Sequence, residues 1–121
     1  MNKTTKIGNA GETAVCGFLK RRGYIILARN YKTRFGEIDI VAKKKNVVTF
    51  VEVKTRKENS MVSGLDAVGF KKQQRVIMAA KDYILKKKVE SQARFDVAEV
   101  TDRNRFFFRF ALNYIENAYS E

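Results

Sequence analysis

Two short β-patterned runs with acids in their interiors constrain this chain most: Gly36-Glu37-Ile38-Asp39-Ile40-Val41 and Phe50-Val51-Glu52-Val53-Lys54-Thr55. Acids are depleted inside strands, so their presence here asks for a reason. A basic stretch, Lys43-Lys44-Lys45-Asn46, separates the runs, and a hairpin is the simplest way to join them. With an even loop, Asp39 falls opposite Phe50 and diagonal to Glu52. That diagonal spans about 7–8 Å between backbones, which two carboxylates can close around a cation. An odd loop or a bulge would turn Asp39 to the other face. Alternation puts Ile38, Ile40 and Ala42 on one face with Val47, Thr49, Val51 and Val53. The opposite face carries Val41, Val48 and Phe50 together with Glu37, Asp39, Glu52, Lys54 and Arg56.

The remaining elements follow from periodicity. A helix is expected over 9–22, with Glu12, Val15, Cys16 and Leu19 on one stripe. Gly23 stops it, and 24–28 reads as a first strand, followed by a basic turn over 30–35. Residues 57–65 read as a polar loop. Asp66 is the expected cap of a second helix over 67–87, whose apolar face is Val76, Ala79, Ala80, Tyr83 and Ile84, with Lys72 at the end of that stripe. Two further strands are expected at 94–100 and 105–112, then a turn of helix over 113–121. Phe106, Phe108 and Phe110 alternate with Phe107, Arg109 and Ala111. Aromatics among arginines can stack bases, but a phenylalanine run is more often core, and core is the preferred reading. The order α-β-β-β-α-β-β implies an α/β fold with a mixed central sheet flanked by helices, in one domain over 1–121.

Charge and absences narrow the function. The 121 residues carry 25 Lys+Arg against 13 Asp+Glu, a net charge of +12. Such a field favours a polyanion, most simply nucleic acid. There is no His, hence no His base, His ligand or Ser-His-Asp triad, and one Cys builds neither a zinc site nor an internal disulfide. Without a signal-peptide pattern or a long apolar span, the chain reads as cytoplasmic, with no membrane partner. Any chemistry then falls to carboxylates, lysines and a metal. Asp39 with Glu52-x-Lys54 suits metal-assisted phosphodiester hydrolysis: hard oxygens for Mg²⁺ or Mn²⁺, and a lysine for the attacking water and the phosphate. For Glu12, a favourable interaction with the helix dipole is account enough from spacing alone. Lys72, Arg75, Arg56 and Lys43, Lys44 and Lys45 are the candidate nucleic-acid contacts.

Asp39 with Glu52-Val53-Lys54 resembles the PD-(D/E)xK, or restriction-endonuclease-like, superfamily. A wider string adds Gly11-Glu12, Gly23-Tyr24, Arg29-Asn30-Tyr31, Gly36-Glu37-Ile38-Asp39, Phe50 through Arg56, Lys72-Gln73-Gln74-Arg75 and Arg94-Phe95-Asp96. Together these resemble the small bacterial YraN-like family, which is similar in fold to archaeal Holliday-junction resolvases. The resemblance implies a catalytic and metal-binding set of Glu12, Asp39 and Glu52, with Lys54 catalytic, acting on branched or junction DNA. Ile38 stands where the superfamily often has Pro. Resolvases work as two-fold dimers, so a homodimer is in view. A non-catalytic nucleic-acid-binding role in repair or on ribosomes, and a ribonuclease, are the alternatives.

Overall fold

The long strand β3 (Val47–Lys57) is the spine of the molecule, because both of its edges are paired and both of its faces are covered. The protein is described by a computed structural model covering residues 3–58 and 69–121, with side chains from residue 9. The chain runs α1 (Lys3–Arg21), β1 (Ile25–Thr33), β2 (Gly36–Lys44), β3, α2 (Phe70–Lys87), β4 (Gln92–Asp102) and β5 (Phe110–Tyr119). The five strands lie in chain order. β3 and β4 are parallel and every other neighbouring pair is antiparallel. A parallel neighbour needs a crossover, and α2 supplies it.

The helices cover opposite faces. Val15, Cys16 and Leu19 of α1 pack on Ile40, Ala42, Val51, Ala98 and Val100. Val76, Ile77, Ala79, Ala80 and Tyr83 of α2 pack on Ile38, Val41, Val48, Phe50 and Phe95. Both helical faces match the stripes expected from their spacing. Each fully buried side chain of this kind contributes about 1.5–3 kcal/mol. A one-residue slip of β3 would exchange Phe50 and Val51 between the two cores, so register is strongly fixed.

The hairpin loop is even, as the site geometry requires, but shorter than expected. Lys44 pairs with Val47, leaving Lys45 and Asn46 as the turn, with Lys45 at φ 54°. The register therefore shifts by two. Phe50 lies opposite Val41, not Asp39, and continuation of the pairing brings Asp39 directly opposite Glu52. Ile38 also leaves its expected face. It packs on the α2 side while Ile40 and Ala42 pack on the α1 side. The β1–β2 ladder explains this: it runs through Arg29↔Ile40 and Tyr31↔Ile38 but omits Asn30 and Asp39, and Asn30 sits at φ 52°. Asn tolerates this left-handed conformation better than most residues, and one such residue reverses the alternation.

Other boundaries move for similar reasons. α1 begins at Lys3 rather than 9, and β1 continues to Thr33 through the expected turn. That turn shrinks to Arg34-Phe35, closed by Thr33 Oγ1, which accepts from the amides of Phe35 and Gly36 at 3.0 and 3.2 Å. The last strand spans 110–119 rather than 105–112, which replaces the expected terminal helix with sheet. Phe106, Phe107 and Phe108 are outside any strand and exposed, which overturns the core reading. The expected Asp66 cap and most of the 57–65 loop lie outside the described residues.

On the α1 side a buried polar knot ties three strands. Asp96 is fully buried. It accepts hydrogen bonds from Thr49 Oγ1 (2.6 Å), Arg94 (2.9 Å from Nε and from Nη2), Tyr114 Oη (2.5 Å) and the Asn117 amide (2.9 Å). Arg94 also donates to Tyr24 Oη at 2.7 Å. Burial opposes the charge, but the hydrogen bonds outweigh it and hold the Asp96 carboxyl below the ordinary carboxylate range. This stability is present above pH 4 or so and is lost as pH falls through the lowered value. Asp96→Ala strands Arg94, Thr49 and Tyr114 together, and a loss of about 3–5 kcal/mol is expected in urea unfolding. A loss under about 1 kcal/mol would show that the knot is not a main tie.

Candidate active site

The site forms where β2 and β3 part. Their pairing ends at Ile40↔Val51. One step beyond, Asp39 Oδ2 accepts the Val53 amide hydrogen at 2.8 Å. A side-chain carboxylate thus takes a backbone donor of the central strand, which locks Asp39 against Glu52. Glu52 is 4% exposed. Its Oε1 meets two ammonium groups, Lys72 Nζ at 3.1 Å and Lys54 Nζ at 3.5 Å. Lys54 arrives from β3, two residues on and on the same face. Lys72 arrives from the first turn of α2.

Glu12 comes from α1 and is 9% exposed. What brings it there is the glycine before it: a Cβ on Gly11 would lie 2.7 Å from Thr55 Oγ1. A residue without a side chain lets the helix approach β3 one residue beyond Lys54. Arg29 Nη2 stands 3.7 Å from Glu12 Oε2, beyond hydrogen-bond range, and no hydrogen bond reaches that buried oxygen among the described residues. Burial raises the Glu12 carboxyl, with Asn30 and Arg29 working against the rise and Glu37 adding to it.

Asp39 carries the strongest perturbation of the three acids. Burial first, then the Glu52 charge, push its carboxyl up to about 7; Glu12 adds to this, while the Val53 amide and Lys72 oppose it. So Asp39 feels the charges of both Glu52 and Glu12. The acids are neighbours rather than a closed cage: among the described residues no three acid, His or Cys side chains are close enough to enclose an ion. Their donor type nevertheless fits a hard divalent cation. So do the hydrogen-bond-free oxygen of Glu12 and the mutual repulsion, both of which positive charge would relieve.

A cleft of about 340 Å³ opens at Asp39, lined also by Gly36, Glu37, Lys72, Arg75 and Val76. The structure thus brings Glu12, Asp39, Glu52, Lys54, Lys72 and Arg75 to one end of the sheet. Arg56 is nearby on β3 and pairs with Glu99 at 2.9 Å. Lys43, Lys44 and Lys45 are not part of this group. They sit at the hairpin turn, the far end of β2, where Lys43 lines a separate cleft with Lys87 and Lys88. Of the β4 acids, Asp96 pairs with Arg94 but inside the protein rather than at a solvated edge.

Three contributors escape a strand-by-strand reading. Asn30 and Arg29 oppose the rise of the Glu12 carboxyl, and only their place in the broken ladder puts them beside it. Tyr119 reaches the α2 side, stacked on Phe95 with centroids 5.3 Å apart, and its buried hydroxyl has no hydrogen-bond partner among the described residues. Burial and then the Glu52 charge push the Tyr119 hydroxyl above the ordinary tyrosine range, which keeps it protonated. Asn117, at φ 51°, lies in the two-residue register shift between Ile115 and Tyr119, and alternation keeps Tyr119 on the face opposite Tyr114.

Sequence comparison gives these residues a family. The profile described as "Uncharacterised protein family UPF0102" matches residues 11–100, a span from Gly11 beside Glu12 through the end of the β4 core. The chain belongs to this family. A UPF0102 protein of Clostridium botulinum (strain 657 / Type Ba4) is 42% identical over 115 residues, covering 93% of each chain. One from Alkaliphilus oremlandii (strain OhILAs) is 39% identical over 122 residues, covering 98% of this chain and all of the relative. Among the described residues no helix is long and apolar enough to cross a membrane.

The raised Asp39 carboxyl has a thermodynamic consequence. Its unfolded value is about 3.9 and its folded value about 7. The folded protein therefore binds the extra proton between these limits. The associated stability is complete below about pH 4 and is lost as pH rises through 7. In metal-free buffer, Asp39→Asn is expected to raise stability at pH 8 by on the order of 1–2 kcal/mol, with the gain vanishing toward pH 4. Thermal melts across pH measure this. A variant less stable than wild type at pH 8 would contradict the reading.

Proposed function

We propose that this UPF0102 protein is a metal-dependent endonuclease of restriction-endonuclease-like fold, hydrolysing phosphodiester bonds in branched DNA. The observation that carries the proposal is the Asp39–Glu52 pair, held by the Val53 amide on one side and by Lys54 and Lys72 on the other. Structural ion pairs neutralise one another. Here, burial first and then the Glu52 charge push the Asp39 carboxyl up to about 7, in a cleft also lined by Lys72 and Arg75. Perturbation of this kind clusters at functional sites. The mixed sheet, with acids on adjacent strands and an outer acid on the first helix, supports similarity to the PD-(D/E)xK superfamily and to Holliday-junction resolvases.

Each residue has a part. Asp39 and Glu52, with Glu12 as the outer acid, would hold Mg²⁺ or Mn²⁺. When bound, such a cation would acidify a water and offset charge on the phosphate. Val53 fixes the rotamer of Asp39, so that carboxylate does not reorganise as charge develops. Lys54, beside Glu52, orients the attacking water and steadies the phosphate. Lys72 and Arg75 contact phosphate oxygens from α2, whose N-terminus adds favourable potential for an anion. The net charge of +12 draws the polyanion in. Cutting both strands of a junction would require a two-fold pair of such sites.

The deciding experiment is cleavage at low salt with Mg²⁺ or Mn²⁺, on single-stranded, duplex, flapped and four-way-junction DNA, with RNA alongside. Structure-selective cutting is expected, abolished by chelator and lowered at least about 100-fold by Asp39→Asn, Glu52→Gln and Lys54→Ala. Binding alone, equal in wild type and variants and without cutting, would leave a nucleic-acid-binding protein on a nuclease scaffold. Metal binding has its own readout. Mn²⁺ is expected to raise the wild-type melting temperature more at pH 8 than at pH 5, because protons compete for Asp39. Equal shifts at both pH values, or none, would remove Asp39 from the ligand set.

A further inference from the structure

Beyond the end of β4 the chain exposes three phenylalanines in a row: Phe106 (92% exposed), Phe107 (73%) and Phe108 (86%). A contiguous apolar tip of this kind marks an interaction site. It is also a shaped one. Asp102 clamps the loop: its Oδ1 accepts from the Asn104 amide and Arg109 Nε, and its Oδ2 accepts from Arg109 Nη2, each at 2.9 Å. The Arg103 amide donates to Arg109 O at 2.8 Å, and the Arg103 guanidinium donates to Phe108 O. Asn104 and Phe108 both have positive φ, at 52° and 51°. For a residue as bulky as Phe108 that conformation is strained, and it persists because the clamp over-determines it. The result is a braced loop that holds aromatic rings away from the body.

Its position selects the occupant. Asp102 pairs with Lys57, and the Glu58 amide donates to Asp102 O, so the tip continues the end of β3 that carries Glu52 and Lys54. Lys57 lies five residue steps along β3 from Glu52, about 17 Å at roughly 3.3 Å per residue. That is about five stacked bases at roughly 3.4 Å each. A strand lying along β3 would meet both the acidic cleft and the tip. Arg103, Arg105 and Arg109 flank the rings in sequence, Arg105 pairing with Glu58 and Arg109 with Asp102, and the chain as a whole carries +12, which opposes approach of a second copy. Phe106 and Phe107 meet edge to face at 4.8 Å, which leaves ring faces for stacking.

We infer that residues 103–109 form a base-stacking wedge that engages unpaired bases at a branch point, while the cleft takes a phosphodiester about five nucleotides along the same strand. This rests on the nucleic-acid reading above and assigns the tip the task of telling branched from continuous duplex. Apolar wedges and aromatic platforms do this by offering π-faces to unstacked bases.

The test is binding of full-length protein in EDTA to a fluorescein-labelled flapped duplex and to a matched continuous duplex. The combined substitution Phe106→Ala, Phe107→Ala and Phe108→Ala is expected to weaken flap binding at least tenfold and duplex binding less than twofold. The chain has no Trp, so Phe107→Trp adds a single reporter. Its emission is expected to be quenched by the flapped duplex and not by the matched one. If wild type binds both DNAs with the usual salt dependence and the triple variant is indistinguishable from it, the wedge is overturned and the nuclease reading stands. If wild type binds neither DNA, both fall. Tip-dependent binding to phosphatidylglycerol vesicles without flap preference, or a tip-dependent dimer by sedimentation, would also overturn the wedge in favour of a lipid or self contact.

Discussion

Where β2 and β3 separate, the Asp39 carboxylate accepts the Val53 amide hydrogen, a backbone donor that a continuing ladder would have given to a carbonyl. Much of the site depends on this substitution. It lets the two strands diverge without leaving a donor of the central strand unpaired, which would be costly inside a protein. It fixes one acid against another, Glu52, whose charge adds to the burial that raises Asp39. The divergence opens the space that Lys72 and Arg75 enter from α2 and Glu12 approaches from α1. A cleft, its charge and its rigidity thus follow from one hydrogen bond.

The two buried acid clusters behave oppositely for a reason that can be read in their partners. Asp96 has donors on both oxygens, including a guanidinium, and stays ionised. Asp39 has one amide, two neighbouring carboxylates and a lysine shared with Glu52. The first satisfies its charge internally and ties strands together. The second is left short of positive charge, which is the condition under which a site takes a cation and a phosphate. Burial is common to both; what differs is the count of donors.

Three asparagines in the left-handed region, Asn30, Asn104 and Asn117, mark three of the places where the strands depart from regularity, the register shift between Ile26 and Ala28 being another. Asn30 sits at the flip beside Asp39, Asn117 lies in the β5 register shift and gives its amide to Asp96, and Asn104 begins the loop that holds Phe106 to Phe108 outward. Gly11 adds a fourth device, the close approach of α1 that seats Glu12. Each works by geometry rather than by its own chemistry, and each lies within a few residues of a proposed functional side chain.

Local periodicity was enough to identify the helical faces, the hairpin, the order of elements and the acids Asp39 and Glu52, because alternation and the 3.6-residue repeat are set by each segment's own backbone. The composition likewise determined the basic field and the lack of histidine chemistry. Partner strands decided the rest. The exact pairing of Asp39 with Glu52 depended on a two-residue turn, Ile38 changed face at an interruption shared with β1, and the phenylalanine run left the core because β5 starts at Phe110. A residue's conformation at a bulge is chosen by the neighbour that pairs around it. No spacing within one segment carries that information, so the ion pairs of Lys72 and the exposure of the Phe tip belong to the tertiary structure alone.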